Sequence, residues 1–340
     1  MNYYYKFIFL STLLTGTMIT MTSPNWMSAW MGIEINLLSF IPLMMYKLNP
    51  QTSEASMKYF LVQSIASSLM MFMITMNMMK YNLSFDSTMM NKMMSTTLNS
   101  ALMMKMGMAP LHFWLPEVAN KMSWMNTLIL LTWQKLAPMT LLAYSMKVTH
   151  FIVSAVILSV AIGSLWGMNQ TNMQKIMAYS SINHMGWMLS TLLSNKPMWL
   201  FYLMIYSIIT ASITITLNNF KIFHLKQMMT FMSSNNTIKM MMTLNFLSLG
   251  GLPPLLGFLP KWMVIQSLSN MNKFMWMITL MIMMTLISLY FYIRITYLNT
   301  MMTHTKTKYL TKSKPHKPML IISFMTSSSL IMFMILFNFL

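Results

Sequence analysis

The sequence contains no cysteine and very few charged residues. None of its 340 residues is Cys, and only 8% are charged, while 56% are hydrophobic. Without Cys the chain cannot form a disulfide, a thiolate metal site or an iron–sulfur cluster, which excludes electron transfer through such centres. Soluble domains carry about 25% charged residues. A chain this apolar is therefore predicted to be an integral membrane protein.

Acidic residues are scarcer still, and the chain has a strongly basic balance. Only Glu34, Glu54, Asp86 and Glu117 face 22 basic residues, which gives a net charge of +18. A balance of this kind can indicate nucleic-acid binding. Here the lysines are scattered singly between apolar runs, apart from one cluster at 306–317. We therefore expect a lipid environment and no nucleic acid.

Long apolar runs follow one another along the whole chain. A membrane-spanning helix needs roughly 20 mainly apolar residues, and connections between the runs are short. The sequence predicts an all-α, single membrane domain over 1–340 with about eleven transmembrane helices. They run approximately over 3–22, 25–45, 56–79, 95–117, 122–142, 149–168, 173–194, 197–220, 238–268, 274–298 and 319–339.

Two of these segments, the fourth and the ninth, contain glycine and proline near the middle. Gly107 and Pro110 interrupt the fourth, and the run GGLPP at 250–254 interrupts the ninth. Proline removes a backbone donor, and broken helices survive in a membrane only where protein or water surrounds the break. The breaks lie five helices apart. This spacing predicts inverted five-helix repeats at about 1–145 and 146–298, followed by a loop and a C-terminal helix at 299–340.

The distribution of lysines between alternate loops predicts the orientation. Thirteen lysines fall on the side of the N-terminus and five on the other side. Because positive loops remain in the negative compartment, the N-terminus is expected on that side and the C-terminus opposite. In a mitochondrion these sides are the matrix and the intermembrane space.

Three lysines and one acidic residue fall well inside the predicted spans, where a charge costs about 2.5–3.5 kcal/mol. They are Glu34, Lys105, Lys135 and Lys261. A lysine removed from water gives up its proton more easily, whereas a nearby carboxylate helps it to hold the proton. The pattern predicts a proton relay. Structural ion pairs or side chains reaching the interface remain the alternative.

Two histidines could extend such a relay, because histidine exchanges protons near neutral pH. His112 follows Lys105 beyond the break, and His184 lies in the middle of the seventh segment. A buried histidine can equally be a packing residue. The histidine spacing supports no metal site, and the chain lacks a glycine-rich fingerprint for NADH or flavin.

Several of these motifs resemble one known family. Residues 30–42 read WMGIEINLLSFIP, residues 105–118 read KMGMAPLHFWLPEV, and residues 247–262 read LSLGGLPPLLGFLPKW. With EASMKYF at 54–60, TWQKLAP at 132–138 and SSINHMGW at 180–187, they are similar to the second subunit of the mitochondrial proton-pumping NADH dehydrogenase, respiratory complex I. The Met-rich style resembles insect and other invertebrate members.

The resemblance implies an antiporter-like fold and a set of roles. Glu34 would modulate Lys105, Lys105 and Lys261 would each carry protons in one half-channel, and Lys135 would pass charge between them. His112 and His184 match family positions of less defined role. It also implies that NAD, FMN, iron–sulfur clusters and ubiquinone bind other subunits of the complex. Partners would be the other membrane-arm subunits and the lipid bilayer, including cardiolipin.

Two other functions fit the buried charges. One is a free-standing cation/proton antiporter, which would work without NADH. The other is a structural membrane spacer, in which the charges only set the packing of helices. Replacing Lys105 distinguishes a proton-translocating subunit from a spacer, because a spacer would lose assembly rather than coupling.

Overall fold

The computed structural model describes residues 3–45, 49–81, 92–146, 149–194, 197–232, 236–271 and 273–301. These residues form helices, with one isolated bridge between Asn172 and His224. The chain divides into two compact units, Met1–Ala155 and Val156–Leu340. The predicted span at 319–339 lies outside the described residues. The all-α membrane fold is thus confirmed for the described part of the chain.

The first unit contains the helices of the first five predicted spans. They are α1 (Tyr3–Thr22), α2 (Trp26–Met44), α3 (Pro50–Tyr81), α4 (Lys92–Met106), α5 (Trp114–Asn120), α6 (Trp124–Leu131) and α7 (Leu136–Ser145). Helices α1 and α2 approach closely at two glycines. A Cβ on Gly32 would lie 2.9 Å from the Gly16 carbonyl oxygen. Small residues at such crossings allow backbones to come together in a membrane.

The predicted break in the fourth segment is present and has a defined geometry. Helix α4 ends at Met106, and the next residue, Gly107, has a φ of 70° that suits glycine. The Gly107 N–H donates to the Met104 carbonyl at 3.2 Å, and the Met108 N–H donates to Met103 at 3.0 Å. These two bonds are the Schellman pattern that closes a helix C-terminus.

The fifth predicted span is also interrupted, which the sequence reasoning did not predict. Helix α6 ends at Leu131, a single 3₁₀ turn covers Trp133–Lys135, and α7 begins at Leu136. Pro138 is the third residue of α7, where its missing N–H would have had no partner within the helix. In a continuous helix its ring would clash with the Gln134 carbonyl. The proline therefore marks a new helix start rather than a kink.

The second unit is built around one fully enclosed helix. Its described helices are most of α8 (His150–Met168), then α9 (Met173–Ser194), α10 (Met198–Phe220), α11 (Leu225–Met232), α12 (Asn236–Gly250), α13 (Phe258–Ser269) and α14 (Met275–Met301). Helix α9 is buried on all sides over most of its length. A helix enclosed in this way is a core element of its unit.

The break in the ninth segment repeats the geometry of the first break. Gly251 has a φ of 82° and ends α12. Its N–H donates to the Ser248 carbonyl at 3.0 Å, and the Leu252 N–H donates to Leu247 at 3.4 Å. The returning chain passes very close, because a Cβ on Gly257 would lie 1.7 Å from the Ser248 carbonyl oxygen.

Among the described residues, five helices are long and apolar enough to cross a membrane by themselves. They are Trp26–Met44, Pro50–Met79, His150–Met168, Met198–Phe220 and Met275–Tyr297. The halves of the broken segments are each too short to do so alone. They therefore need packing partners for the backbone N–H and C=O groups at their broken ends, which an uninterrupted helix would pair within itself.

Candidate functional site

The first break exposes backbone carbonyls, and side chains satisfy them. The Met104 carbonyl accepts a hydrogen bond from the Trp114 indole N–H at 3.1 Å. The Lys105 carbonyl accepts one from the Gln63 amide at 3.1 Å. Since free carbonyls are costly in a membrane, these bonds explain how α4 can end inside the unit, and they fix the backbone of Lys105 itself.

Lys105 and Glu34 come close to one another without forming an ion pair. Lys105 is 5% exposed, and Glu34 is near enough to act on it electrostatically. Within the described ranges, neither Lys105 Nζ nor Glu34 Oε1 has a hydrogen-bond partner. The Lys105 side chain therefore lies near Glu34 but does not form a hydrogen bond or an ion pair with it.

A small polar cavity adjoins Lys105. About 10 Å³ of it is open to the centre of a water molecule, which is the space that one water needs. The Gln134 amide donates to Asn36 Oδ1 at 3.0 Å, and the Tyr59 hydroxyl donates to Gln134 Oε1 at 3.4 Å. The cavity is lined by Ile33, Asn36, Leu37, Tyr59, Gln63, Lys105, Gln134 and Pro138.

Lys135 and His112 occupy the two interruptions of the first unit. Lys135 is 1% exposed and sits in the 3₁₀ turn between α6 and α7, next to Gln134 of the cavity. His112 is 1% exposed in the loop between α4 and α5. Its Nδ1 lies 3.2 Å from the Pro110 carbonyl oxygen, and its ring packs on Phe113. Both predicted residues are therefore buried at irregular backbone.

Lys261 lies at the break of the second unit. It is 6% exposed, and its ammonium donates to the Gly250 carbonyl at 2.8 Å. That carbonyl is at the C-terminus of α12, the negative end of the helix dipole. The lysine stem runs over Gly251, where any Cβ would lie 3.0 Å from the side chain. The positive-φ glycine therefore makes room for the lysine.

His184 lies in the middle of α9, among tyrosines. Its Nδ1 is 2.8 Å from the Tyr202 hydroxyl, and its ring centroid is 4.9 Å from that of Tyr206. The sequence reasoning missed these tyrosines and the amides around Lys105. The available signal was the presence of polar side chains within apolar spans.

Two of the four acidic residues of the chain form ion pairs away from the buried lysines. Glu54 pairs with Lys58 at 3.2 Å and with Lys121, and Lys58 also pairs with Glu117 at 2.8 Å. This half-exposed cluster joins the start of α3 to the α5 region. The described residues bring together no group of His, Asp and Glu side chains that could hold a metal ion.

Comparisons with known proteins agree with this architecture. Residues 23–288 match the family model described as "NADH:quinone oxidoreductase/Mrp antiporter, TM". The chain is 47% identical to NADH-ubiquinone oxidoreductase chain 2 of Anopheles gambiae, over 96% of each chain. It is 43% identical to the chain 2 of Locusta migratoria, over 92% of this chain and 90% of that one.

Solved structures show the same fold at low identity. A chain of respiratory complex I from Thermus thermophilus superposes with a TM-score of 0.84 at 20% identity, covering 95% of this chain and 77% of that one. A chain of the Mrp complex from Dietzia has a TM-score of 0.80 at 14% identity, covering 96% and 75%. With broken helices, buried lysines and these relatives together, the chain belongs to the NADH-ubiquinone oxidoreductase chain 2 family of antiporter-like membrane subunits.

Proposed function

We propose that the chain is a proton-translocating membrane subunit of NADH:ubiquinone oxidoreductase in the mitochondrial inner membrane. The observation that carries this proposal is the burial of Lys105, Lys135 and Lys261 beside interruptions of helices. Ionisable residues inside a membrane are costly and mark ion pathways. The names of the relatives supply the reaction to which the movement of protons is coupled.

In the first unit, Lys105 is the proposed proton carrier. Lys105 lines a cavity of one-water size, and its ammonium makes no direct hydrogen bond to Glu34 nearby. A change in the charge of Glu34 would alter how firmly Lys105 holds its proton. The proton then leaves through the water, and Lys105 is reloaded from the same network. Glu34 would thus determine when Lys105 releases its proton, and Lys135 would pass the charge onward.

In the second unit, Lys261 is the proposed carrier. The Gly250 carbonyl at the negative end of α12 stabilises the charged ammonium by a 2.8 Å hydrogen bond. Lys261 would release its proton when another group binds that proton more strongly. His184 and His112 are proposed as supplementary groups, since their rings are buried and touch polar partners.

The chain's part in the reaction is confined to protons in this proposal. NADH, FMN, iron–sulfur clusters and ubiquinone would bind other subunits, in keeping with the lack of cysteine. The other membrane-arm subunits would be its partners, and lipids including cardiolipin would meet the basic surface. The N-terminus would face the matrix and the C-terminus the intermembrane space, as the lysine distribution indicates.

The test is to replace Lys105 with Met in the assembled complex and to measure the rate of proton-coupled NADH oxidation and the protons pumped per NADH oxidised. Met keeps the stem and removes the charge. We expect normal amounts of complex with a proton-coupled turnover lowered at least about tenfold, because a positioned proton carrier contributes about 10²–10⁴-fold. Lys273→Met is the matched control, since Lys273 is exposed.

Lys261→Met provides the second half of the test. If both buried-lysine variants assemble and pump like the unmodified complex, the relay is wrong. Loss of assembly with an unchanged proton ratio in the remaining complex would support a structural spacer. Pumping that continues after NADH oxidation is blocked would support the free-standing antiporter instead.

A further inference from the structure

Two buried polar side chains of α3 lie at the break in the fourth segment. Tyr59 and Gln63 are one turn apart, which places them on the same face of the helix. Both are buried, and both line the small cavity that Lys105 also lines. Helix α3 therefore contributes two polar groups to the surroundings of the proposed proton carrier.

The Tyr59 ring is held by aromatic contacts that do not involve its hydroxyl. The ring centroid lies 5.3 Å from that of Phe40 and 5.8 Å from that of Trp114. Phenylalanine would make the same ring contacts without burying a hydroxyl, which is unfavourable unless the hydroxyl has a partner or a task. Packing alone therefore does not explain why a tyrosine occupies this position.

The hydrogen bonds of Gln134 determine what the Tyr59 oxygen can still do. The Gln134 amide nitrogen donates to Asn36 Oδ1 at 3.0 Å, so the amide oxygen is the atom that meets Tyr59. The Tyr59 hydroxyl donates to that oxygen at 3.4 Å. A hydroxyl has one hydrogen and two lone pairs. Because its hydrogen is bonded to Gln134, the Tyr59 oxygen can only accept a further hydrogen bond.

Gln63 also has an oxygen available as an acceptor. Its amide nitrogen donates to the Lys105 carbonyl oxygen at 3.1 Å, and a carbonyl oxygen can only accept. The Lys105 ammonium has the opposite property, since it carries three hydrogens and no lone pair. Its Nζ has no hydrogen-bond partner among the described residues. The residues that line this one cavity thus combine an unbound donor with two oxygens that accept.

The cavity has the size and the polarity that a single water requires. About 10 Å³ of it is open to the centre of a water molecule. A buried water needs about that volume and two to four polar partners. Lys105, Tyr59 and Gln63 supply three partners within the first compact unit.

We propose that a water in this cavity accepts the proton of Lys105, and that Tyr59 and Gln63 orient the water for this step. This inference rests on the proposed function. The water donates its two hydrogens to the Tyr59 and Gln63 oxygens, so that only its lone pairs are available to Lys105. The Lys105 N–H bond then breaks as an O–H bond forms on the water, and the positive charge moves from nitrogen to oxygen. The reverse transfer reloads Lys105. Tyr59 and Gln63 are positioning residues, because neither of them takes up the proton.

The experiment replaces Tyr59 with Phe in the assembled complex. It measures the amount of complex, the rate of proton-coupled NADH oxidation per complex, and the solvent deuterium isotope effect on that rate. We expect a normal amount of complex, because Phe keeps the ring contacts. The rate should fall about fivefold, as for the loss of one hydrogen bond, and the isotope effect should increase because proton transfer becomes slower. Tyr144→Phe is the matched control, since Tyr144 is 60% exposed, and it should alter none of these quantities.

Gln63→Met and the double variant test whether both residues act on the same water. Gln63→Met should also lower the rate and increase the isotope effect, and it decides the question if Tyr59→Phe does not assemble. The double variant should fall by less than the product of the two single effects, because an orientation that is already lost cannot be lost again. A purely structural role of either residue would change the amount of complex and leave the isotope effect unchanged.

Lys105→Met separates failure of this inference from failure of the proposed function. If Lys105→Met lowers turnover while Tyr59→Phe and Gln63→Met keep the rate and isotope effect of the unmodified complex, the oriented water is wrong and the proposed function stands. If Lys105→Met also pumps normally, the proposed role of the first unit fails as well.

Discussion

At the scale of single residues, Gln134 is the link between the two polar neighbours of the Lys105 cavity. Its amide nitrogen donates to Asn36 while its amide oxygen accepts from Tyr59. This arrangement fixes the direction in which the amide points, and it leaves the cavity wall with defined donors and acceptors. A water in the cavity would therefore be oriented before a proton reaches it.

We predict that Gln134→Leu slows proton-coupled turnover about fivefold, because one hydrogen bond is worth about 1 kcal/mol. Leucine keeps most of the volume and removes both polar atoms. The quantities to measure are the rate of proton-coupled NADH oxidation and the protons pumped per NADH in the assembled complex. Gln266→Leu is the control, because Gln266 is exposed. Equal turnover in the two variants would show that the amide has no part in the pathway.

The sequence identified the charged members of the interior but not the neutral ones. Glu34, Lys105, Lys135 and Lys261 stand out because a charge in an apolar run is rare and costly. Gln134, Asn36 and the buried tyrosines do not stand out, since polar side chains of this kind also occur on ordinary packed helices. Only their burial and mutual contacts distinguish them.

At the scale of helices, three elements restart in the same way after an interruption. Pro116, Pro138 and Pro260 are each the third residue of a new helix, in α5, α7 and α13. A proline there costs no hydrogen bond, because the first turn has no partner for its N–H. The prolines predict the breaks in segments four and nine correctly, whereas the interruption in segment five is not predicted from the sequence.

Uninterrupted helices were predicted more closely. The spans 3–22 and 173–194 coincide with α1 and α9, because apolar runs with sharp polar ends determine such helices directly. The short helix α11 was not predicted, since its eight residues are too few for a span. The predicted repeat boundaries at about 145 and 298 stay predictions, although the chain does divide near Ala155.

Helix α9 is held against α8 by a glycine contact, and this contact gives a prediction. A Cβ on Gly163 would lie 2.7 Å from the Asn183 backbone nitrogen and 2.8 Å from the Tyr179 carbonyl oxygen. Gly163→Ala must move backbone, so we expect a destabilisation of about 1–3 kcal/mol. Less assembled complex on native gels and a lower thermal midpoint would record it.

Gly167→Ala is the matched control one turn further along α8. Its Cβ would lie 3.2 Å from the nearest ring carbon of Phe291 and 3.6 Å from the Tyr179 Cβ, which are both side-chain atoms, and a side chain can shift where backbone cannot. We expect a cost below about 1 kcal/mol. If the two alanine variants assemble equally well, the close approach of α8 and α9 does not limit stability.

At the scale of the whole molecule, the balance of charge is uneven. The chain carries +18, and Glu54 and Glu117 are already matched by Lys58 and Lys121 in one cluster. Most of the remaining lysines have no acid in the chain to balance them. The counter-charge must come from water, from lipid headgroups or from neighbouring subunits, in keeping with a protein that works inside an assembly.

The lack of cysteine makes the proposed orientation directly testable. We predict that a membrane-impermeant maleimide added from the intermembrane-space side labels Lys273→Cys in this chain. Lys221→Cys should react only after the membrane is permeabilised. Both residues are exposed and lie in the same unit, and the chain has no other thiol. The reverse pattern would invert the topology derived from the lysines.

The size of the Lys105 cavity has a consequence for selectivity. A metal cation such as sodium crosses a protein only where several oxygens replace its hydration shell. A space for one water beside a lysine offers too few ligands and, when the lysine is charged, repels the cation. A proton needs neither, because it moves by exchange between neighbouring atoms. In the proposed pathway, a space of this size beside a charged lysine therefore favours the movement of protons over that of sodium.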